Sequence, residues 1–533
     1  MLCGGPPGGP GRGQAGRCPG KGGVCVRKVR RLLFNRITIT GALILIQLAW
    51  LLAAFTELAY LSPWIGAGLS AMSLLVVLYI VRKDDNPAYK IGWIILILLI
   101  PLLGALLYLC FGNKRSARGM RRRFRRAQAL TRPVLGQNPA AAAGLAGRPL
   151  ATARYVARYG PWPVWRNTDV TYYPVGEAMF ADMMAALESA RHYIFLEYFI
   201  VHQGSYMWES MLAVLKRKAA QGVEVRMMYD DLGSVAILPG DYWLQMEQAG
   251  IKCMAFNPFV PVMSLVMNNR DHRKILVVDG HTAFNGGINL ADEYINRTHP
   301  HGHWKDTGLR LVGEGVWNFT VMFLETWNAF RPTETDLAAF RPAAHHPAPF
   351  TGTGYVQPFG DTPLDDEPLS ENVYNEILAQ ALDYVYICTP YLSISNEMQA
   401  ALCTAAKRGV DVRIITPGIP DKKIVYRLTR SYYPPLLQAG VKIFEYTPGF
   451  IHAKSYVSDD RLAVVGTINM DFRSLYLHFE CGTLLYGCRA VADVKADFLD
   501  TQAKCRTVRL SDCRTGFFGG LWNAVLRVLA PLL

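Results

Sequence analysis

Two stretches of the chain carry the same polar residues at the same spacing. Residues 271–289 read DHRKILVVDGHTAFNGGIN and residues 451–469 read IHAKSYVSDDRLAVVGTIN, so both match H-x-K-x4-D-x6-G-x2-N. Five fixed residue types would match by chance roughly once per few million start positions at ordinary amino-acid usage. The motif is therefore duplicated. Its residues are His272, Lys274, Asp279, Gly286 and Asn289 in the first copy, and His452, Lys454, Asp459, Gly466 and Asn469 in the second.

The histidine and lysine of each copy are suited to catalysis. His272 and Lys274 are two residues apart, so on a β-strand an imidazole and an ammonium lie side by side on one face. An imidazole can attack an electrophile or transfer a proton, and an ammonium can offset negative charge. A lone histidine near a strand is more often a core residue, but the duplicated pair favours a catalytic role.

The aspartate of each copy lies where a turn is expected. Asp279-Gly280 is a strong signal for a two-residue hairpin turn and Asp459-Asp460 a weaker one, so each motif is predicted to run strand, turn, strand and to end at its glycine. Asp is frequent in turns for structural reasons alone. Asp279 and Asp459 stay in the candidate catalytic set as members of the motif.

The two copies resemble the paired HKD motifs of the phospholipase D superfamily. Two further stretches are similar to bacterial cardiolipin synthases in particular: YKIGWIILILLIPLLGALLYLCFGN at 89–113 and GTINMDFRSLYLHFE at 466–480. The resemblance extends from about residue 30 to the C-terminus. It implies two halves packed about a pseudo-twofold axis, with both motifs at one cleft.

Internal repetition outside the motifs points the same way. YIFL and KAAQGVEVR before the first motif are echoed by YVYI and AAKRGVDVR before the second, and QAGIK by QAGVK. Strand, helix, strand, helix and motif hairpin therefore occur twice. This order predicts an α/β fold of two phospholipase D-like units, each a sheet covered by helices.

The resemblance implies a mechanism at a phosphodiester. One neutral imidazole attacks phosphorus and forms a phosphohistidine, and the other gives a proton to the leaving alkoxide. The resemblance favours His272 as the nucleophile and His452 as the acid and base. Lys274 and Lys454, with Asn289 and Asn469, would hold the non-bridging oxygens. No cofactor and no metal ion is required.

Four further residues enter the candidate site through the resemblance. Asp306 in HWKDTGLRL and Glu480 in LHFECG match the positions of carboxylates that orient the histidines, a role that would fix the tautomer of each ring. The alternative is an ordinary charge at a strand end. Arg473 and Ser474 resemble residues near the phosphate.

The implied reaction transfers a phosphatidyl group from one phosphatidylglycerol to another, giving cardiolipin and glycerol. Water or serine as the acceptor would instead make a phospholipase D-type hydrolase or a phosphatidylserine synthase, and the motifs allow both. A nuclease would suit the net charge of +14, but a membrane-anchored N-terminus argues against a nucleic-acid partner. A non-catalytic membrane scaffold would carry degenerate motifs, whereas both copies are intact.

Three apolar stretches near the N-terminus predict a membrane protein. They cover 37–55, 63–81 and 91–111, and each approaches the roughly 20 residues that cross a bilayer. Buried core helices are the alternative, but three stretches with basic flanks suit insertion better. The expected partners are therefore the lipid bilayer and its phospholipids; the sequence indicates no protein partner.

The topology of this segment follows from the basic residues on both sides. Three full spans would separate the basic clusters at 27–36 and 114–126, against the positive-inside tendency. Pro101 and Gly104 interrupt the third stretch, so we expect it to be re-entrant or interfacial. The protein is then a multi-pass cell-membrane protein whose catalytic region faces the cytoplasm.

The expected organisation has six parts. They are a disordered basic tail (1–36), a membrane segment of two or three hydrophobic helices (37–112), a basic linker (113–150), a first half (151–345), a second half (346–515) and a C-terminal amphipathic helix (516–533). The last of these suits a membrane surface and packing on the core equally well. The 11 cysteines form no CxxC pair and indicate free thiols, and the histidines of THPHGHW are weak evidence for a metal.

Overall fold

The computed structural model describes residues 63–112, 117–259, 268–333, 336–346 and 348–532, together with positions 45, 46, 49 and 53. The expected tail, 1–36, lies outside the described residues, as does the first apolar stretch, 37–55, apart from these four positions.

The helices and strands alternate through most of the chain. The helices are α1 Pro63–Arg82, α2 Pro87–Leu99, α3 Pro101–Leu107, α4 Arg118–Thr131, α5 Pro139–Ala142, α6 Gly147–Tyr159, α7 Gly176–Ser189, α8 Tyr206–Ala220, α9 Asp231–Ser234, α10 Tyr242–Gln248, α11 Val316–Phe330, α12 Pro342–His345, α13 Leu369–Gln380, α14 Asn396–Lys407, α15 Lys423–Ser431, α16 Tyr433–Gln438, α17 Phe472–Tyr476, α18 Arg489–Gln502 and α19 Phe517–Leu529. The strands are β1 Thr168–Tyr173, β2 Tyr193–Tyr198, β3 Glu224–Asp230, β4 Lys252–Phe256, β5 Arg270–Asp271, β6 Lys274–Val278, β7 Thr282–Gly286, β8 His303–Lys305, β9 Gly308–Gly313, β10 Tyr355–Asp361, β11 Tyr384–Cys388, β12 Leu392–Ser393, β13 Asp411–Pro417, β14 Lys442–Tyr446, β15 Gly449–Ile451, β16 Ser455–Ser458, β17 Leu462–Gly466, β18 Met470–Asp471, β19 His478–Tyr486 and β20 Cys505–Thr507.

The two halves contain sheets of the same topology. The strand order is β1-β9-β7-β6-β2-β3-β4 in the first and β10-β19-β17-β16-β11-β13-β14-β20 in the second. In each sheet the central strand, β2 or β11, pairs parallel with the strand that follows it within the same sheet, β3 or β13, and antiparallel with the first strand of the motif hairpin. Both central strands are buried along their whole length, as expected for a sheet covered on both faces. The predicted pair of α/β units is confirmed.

Each motif forms the predicted strand, turn and strand. The strands β6 and β7 pair antiparallel, as do β16 and β17, and the second strand of each hairpin ends at the motif glycine, Gly286 or Gly466. The turn of each hairpin has three residues instead of two, because Val278 pairs with Thr282 and Ser458 pairs with Leu462. The histidines precede the hairpin strands, which begin at Lys274 and Ser455.

Short strands from one half pair with strands of the other just before each motif histidine. Strand β5 pairs parallel with the start of β19, and β15 pairs parallel with β8. The approach is close: a Cβ at Gly449 would lie 2.2 Å from the carbonyl oxygen of His303, so only glycine fits there. These two exchanged pairings tie the halves together at the histidines.

The apolar helices near the N-terminus fold back on one another. Helix α2 ends at Leu99, and Pro101 begins α3, at the position where the sequence predicts an interruption. Helix α3 returns along α2 so closely that a Cβ at Gly104 would lie 2.7 Å from the Cα of Ile97. Among the described residues, none of the helices combines the length and the apolar character that a bilayer crossing requires.

The stretch expected to be a basic linker is partly helical. Helix α4 buries Met120, Phe124 and Ala127 and packs against α11 of the first half, while Arg122 and Arg126 on its other side are exposed. The arginine-rich composition hides the apolar stripe, which recurs at helical spacing. Helix α4 is therefore packed on the first half.

Candidate active site

Each motif histidine is hydrogen-bonded to a carboxylate from the other half. The Nδ1 of His272 lies 2.9 and 3.0 Å from the two carboxylate oxygens of Glu480. The Nδ1 of His452 lies 2.7 Å from Oδ2 of Asp306. Because a carboxylate accepts hydrogen bonds, Nδ1 of each ring carries the proton and donates it, and Nε2 is left with a free lone pair.

The exchanged strands place these partners. The backbone N–H of His272 donates to the carbonyl of Phe479, the residue before Glu480, at 2.9 Å. In the same way the N–H of His452 donates to the carbonyl of Lys305, the residue before Asp306, at 2.7 Å. Each histidine and its carboxylate are thus fixed by the backbone as well as by their side chains.

The motif lysines lie against the histidines. The ammonium of Lys274 donates to the backbone carbonyl of His272, and that of Lys454 to the carbonyl of His452. Both lysine side chains are 1% exposed. Two lysine side chains are therefore held beside two histidines in a site that excludes most water.

Burial and the lysine charges lower the pKa values of both histidines. The pKa of His452 falls to about 4, first through burial and then through Lys454, while Asp306 opposes the shift. The pKa of His272 falls well below its usual value through burial, and Lys274 and Lys454 add to the shift. Both rings are neutral at pH 7 in the empty site.

The lysines also have lowered pKa values, because burial disfavours the ammonium. The pKa of Lys274 falls to about 8 and that of Lys454 to about 7. Nearby carboxylates, Glu480 and Asp306 among them, favour the charged form and limit both shifts. The site is therefore prepared for an anion that would restore the full charge of both lysines.

Aromatic rings surround the histidines in a related pattern. Trp304, two residues before Asp306, has its ring 5.5 Å from that of His452, and His478, two residues before Glu480, has its ring 5.5 Å from that of His272. Sequence reasoning missed both. Trp304 and His478 occupy the same position relative to the two carboxylates, and this shared position is the signal in the sequence. Because the two residues differ in type, a search for repeated motifs does not find them.

The remaining expected phosphate ligands fall into two groups. The Oδ1 of Asn289 accepts from the backbone of Ile200 at 3.1 Å, and its Nδ2 donates to Tyr294 at 2.8 Å, so its amide is engaged by the protein. Each of the three candidate ligands of the second half has a buried side-chain atom with no hydrogen-bond partner within the described part of the chain: Oδ1 of Asn469, Nε of Arg473 and Oγ of Ser474. Unpaired buried polar atoms are costly, and these three suit a polar ligand.

The motif aspartates do not join the site. The carboxylate of Asp279 accepts from the backbone N–H groups of residues 191, 192 and 193 at 2.7–2.9 Å. Asp459 accepts from residues 382, 383 and 384 in the same way. Each lies at the far end of its strand from the lysine and holds the loop that enters the central strand. The contacts of both carboxylates are therefore structural.

A metal ion could be considered at one point within the described residues. Ligand atoms of His272, His478 and Glu480 lie within 4.8 Å of one another. The carboxylate of Glu480 already accepts from His272 and from the hydroxyl of Thr467, which explains the cluster without an ion. The histidines at 299, 301 and 303 form no such group in the described regions.

Known proteins are similar to most of the chain. The family model "Cardiolipin synthase, PLD-like domain" matches residues 183–301 and 374–501, and "Phospholipase_D-nuclease N-terminal" matches 71–113. A cardiolipin synthase of Geobacillus sp. (strain WCH70) is 34% identical over 88% of this chain and 95% of its own length. The chain belongs to the cardiolipin synthase family. An uncharacterized protein of Streptococcus mutans is 45% identical over 86% of the chain and 99% of its own length.

The fold of this cardiolipin synthase family member is also found in a solved structure. The phosphatidylserine synthase of Haemophilus influenzae superposes with a TM-score of 0.55 at 13% identity, over 72% of this chain and 100% of that one. The likeness concerns the two-unit fold. The family match makes the chain a phosphatidyltransferase of the phospholipase D type.

We predict that Asp279→Asn destabilises the protein without removing its chemistry. The substitution weakens three charge-assisted hydrogen bonds, and a loss of about 1.5–3 kcal/mol in the free energy of unfolding follows. Denaturant unfolding measures this loss, and the rate per folded molecule stays near that of the wild type. Asp460→Asn, which removes a surface pair with Lys495, is the control and costs at most about 1 kcal/mol. A rate as low as that of a histidine variant would return Asp279 to the catalytic set.

We also predict that anion binding takes up protons at pH 8. An anion beside the lysines favours the ammonium and raises the pKa of Lys454 from about 7 and that of Lys274 from about 8. The proton uptake by the two lysines is largest at a pH where both are partly neutral. It vanishes well below pH 7, where both are already charged before the anion binds. Calorimetric titration with dimethyl phosphate, in buffers of different ionisation enthalpy, measures the uptake. Lys454→Arg, which stays charged, lowers the uptake; proton release by the wild type would contradict the prediction.

Proposed function

We propose that the protein makes cardiolipin by transferring a phosphatidyl group from one phosphatidylglycerol to another, with glycerol as the second product. The observation that carries the proposal is the crossed pair of histidine–carboxylate hydrogen bonds in a member of this family. It holds two imidazoles in one tautomer beside two lysines. That arrangement suits an exchange of one phosphodiester for another, in which no nucleotide is consumed.

In the first step, Nε2 of His272 attacks the phosphorus of phosphatidylglycerol. The bond from phosphorus to the glycerol oxygen breaks, and that oxygen takes the proton from Nε2 of protonated His452. Glycerol leaves, and the phosphatidyl group stays on His272 as a phosphohistidine. The anionic substrate supports the required protonation of His452, because a nearby negative charge raises the pKa of an imidazole.

In the second step, a hydroxyl of a second phosphatidylglycerol attacks the phosphohistidine. Neutral His452 removes the hydroxyl proton, the bond from phosphorus to Nε2 breaks, and cardiolipin leaves. His272 returns to its neutral form, and His452 is again protonated for the next cycle. Each step therefore uses the same two rings in opposite protonation states.

The surroundings of the two rings support His272 as the nucleophile. Asp306 presents Oδ2 to His452 and raises the pKa of that ring. Glu480 divides its charge among His272, Thr467 and His478, whose Nδ1 lies 3.7 Å away, so less of it favours protonation of His272. The ring that stays neutral more readily is the better nucleophile, and the ring with the dedicated carboxylate is the better acid.

Lys274 and Lys454 would stabilise the five-coordinate phosphorus, since both ammonium groups are fixed before substrate arrives. The unpaired atoms of Asn469, Arg473 and Ser474 offer further contacts to the phosphate oxygens. Asn289 supports the site indirectly, through Ile200 and Tyr294.

The apolar helices would hold the cleft at the bilayer, where both substrates lie. Leu74, Leu75 and Leu78 of α1 and Leu98 and Leu99 of α2 are all more than half exposed, as lipid-facing side chains would be. The hairpin of α2 and α3 supports a re-entrant third stretch in a multi-pass membrane segment. The expected placement of the catalytic region in the cytoplasm follows, since both basic flanks then lie on one side.

We predict that purified protein incubated with phosphatidylglycerol alone forms cardiolipin and glycerol in equal amounts. His272→Ala and His452→Ala each lose the activity, by about a thousandfold or more, because both steps need both rings. Lipid chromatography and a glycerol assay measure the products. Phosphatidic acid without cardiolipin would make water the acceptor. If serine is added to the reaction and phosphatidylserine forms in preference to cardiolipin, the protein would be a phosphatidylserine synthase.

We predict that Ala129→Cys, at an exposed position of α4, resists a membrane-impermeant thiol reagent in intact cells. The same reagent labels it after the cells are permeabilised. The unsubstituted chain, treated in parallel, gives the background from the native cysteines. Labelling before permeabilisation would place the catalytic region on the outer side.

A further inference from the structure

The C-terminal helix α19 presents an uncovered apolar face. Phe517 and Phe518 are 81% and 83% exposed, and Leu521 and Trp522 are about half exposed. With Val525 and Leu529, which are also exposed, the residues from 518 onwards recur every three or four positions and form one face of the helix. Such a surface on a protein marks a site of contact with a partner or a membrane.

Polar contacts fix the other side of α19 to the second half. Arg427 of α15 donates from Nε to Oδ1 of Asn523 at 2.9 Å and from Nη2 to the carbonyl of Gly519 at 3.2 Å. The guanidinium of Arg527 lies 4.3 Å from the ring centre of Tyr432. Leu526 alone is buried within α19, so far as the structure describes its side chains. The orientation of the helix is therefore set, with its apolar face turned away from the protein.

The uncovered face adjoins the apolar helices near the N-terminus. Helix α19 packs against α2, so closely that a Cβ at Gly92 would lie 3.2 Å from the carbonyl oxygen of Val528. Ile91, Ile95 and Leu98 of α2 are themselves exposed. Two exposed apolar surfaces therefore lie on helices in direct contact, although they come from opposite ends of the chain.

The charges near this face suit an anionic lipid surface. Helix α19 has no acidic residue and carries Arg527, and α15 beneath it also has no acidic residue and carries Lys423, Arg427 and Arg430, of which Arg430 is paired with Glu445 at 3.4 Å. An amphipathic helix with apolar and aromatic residues on one side and basic residues beside them binds in the plane of an anionic membrane surface.

We infer that α19 lies in the membrane surface, with Phe517, Phe518 and Trp522 among the lipids and the basic side chains at the head groups. This inference rests on the proposed membrane location of α1 to α3. The turn Ala530–Leu532 that follows α19 packs on α17, which carries Arg473 and Ser474. The helix therefore sets the height of these phosphate-binding residues above the lipid head groups.

Photochemical crosslinking of the full chain in phosphatidylglycerol vesicles tests the contact directly. A photoreactive benzoylphenylalanine at position 518 is expected to form lipid adducts about tenfold above those formed at position 243, because only the former lies in the apolar interface. Trp243 is 43% exposed on α10 of the first half and is the matched control. Equal lipid adducts at both positions, or adducts between two copies of the chain, would overturn the inference. Crosslinking does not require catalytic turnover, so it tests the membrane contact of α19 even if the protein does not carry out the proposed transfer reaction.

The rate of transfer on two forms of substrate tests the consequence. Phe518→Ser, at a side chain that contacts little of the protein, is expected to slow transfer about tenfold on vesicles, because interfacial binding depends on apolar contact. The rate on monomeric short-chain phosphatidylglycerol stays unchanged. An equal loss on both substrates, or no loss on vesicles, would show that α19 does not seat the catalytic region on the membrane.

Discussion

The hydrogen bond from each motif histidine to a carboxylate of the other half is the interaction on which the active site depends. It selects the proton position on both rings, because a carboxylate can only accept. It also requires the two halves to lie at one fixed separation, since His272 and Glu480 are 208 residues apart in the chain. The exchanged strands β5 and β15 serve this requirement, as each ends at the residue before a histidine. The sheets, in turn, hold those strands.

In each half, the residue after the motif glycine contacts the carboxylate that orients a histidine, and this residue differs between the halves. Asp306 fits because residue 287 is a glycine: a Cβ there would lie 2.1 Å from Oδ1 of Asp306. The second half has Thr467 at the matching position, and its hydroxyl donates to the longer side chain of Glu480. One ring therefore has a carboxylate of its own and the other shares one. A duplicated framework thus supports two unlike histidines, as two-step chemistry needs.

The sequence predicts the framework well and the contacts between halves poorly. Hydrophobic patterning and the repeated segments predict two α/β units, and Pro101 predicts the break between α2 and α3, because these are local signals. The partner of each histidine is not local: spacing places Asp306 after the first motif and Glu480 after the second, and cannot show that they exchange. The sequence predicts a linker where α4 lies, because its arginines outweigh the few apolar residues that it buries. Trp304 and His478 share a position but not a residue type, so no motif reveals them.

The exchange of strands between the halves also has a consequence for the chain during its synthesis. When the first motif leaves the ribosome, the carboxylate that orients His272 has not yet been synthesised, because Glu480 follows 208 residues later. Long-range closure of this kind is slow compared with local folding. The first half alone therefore carries a histidine without its orienting partner.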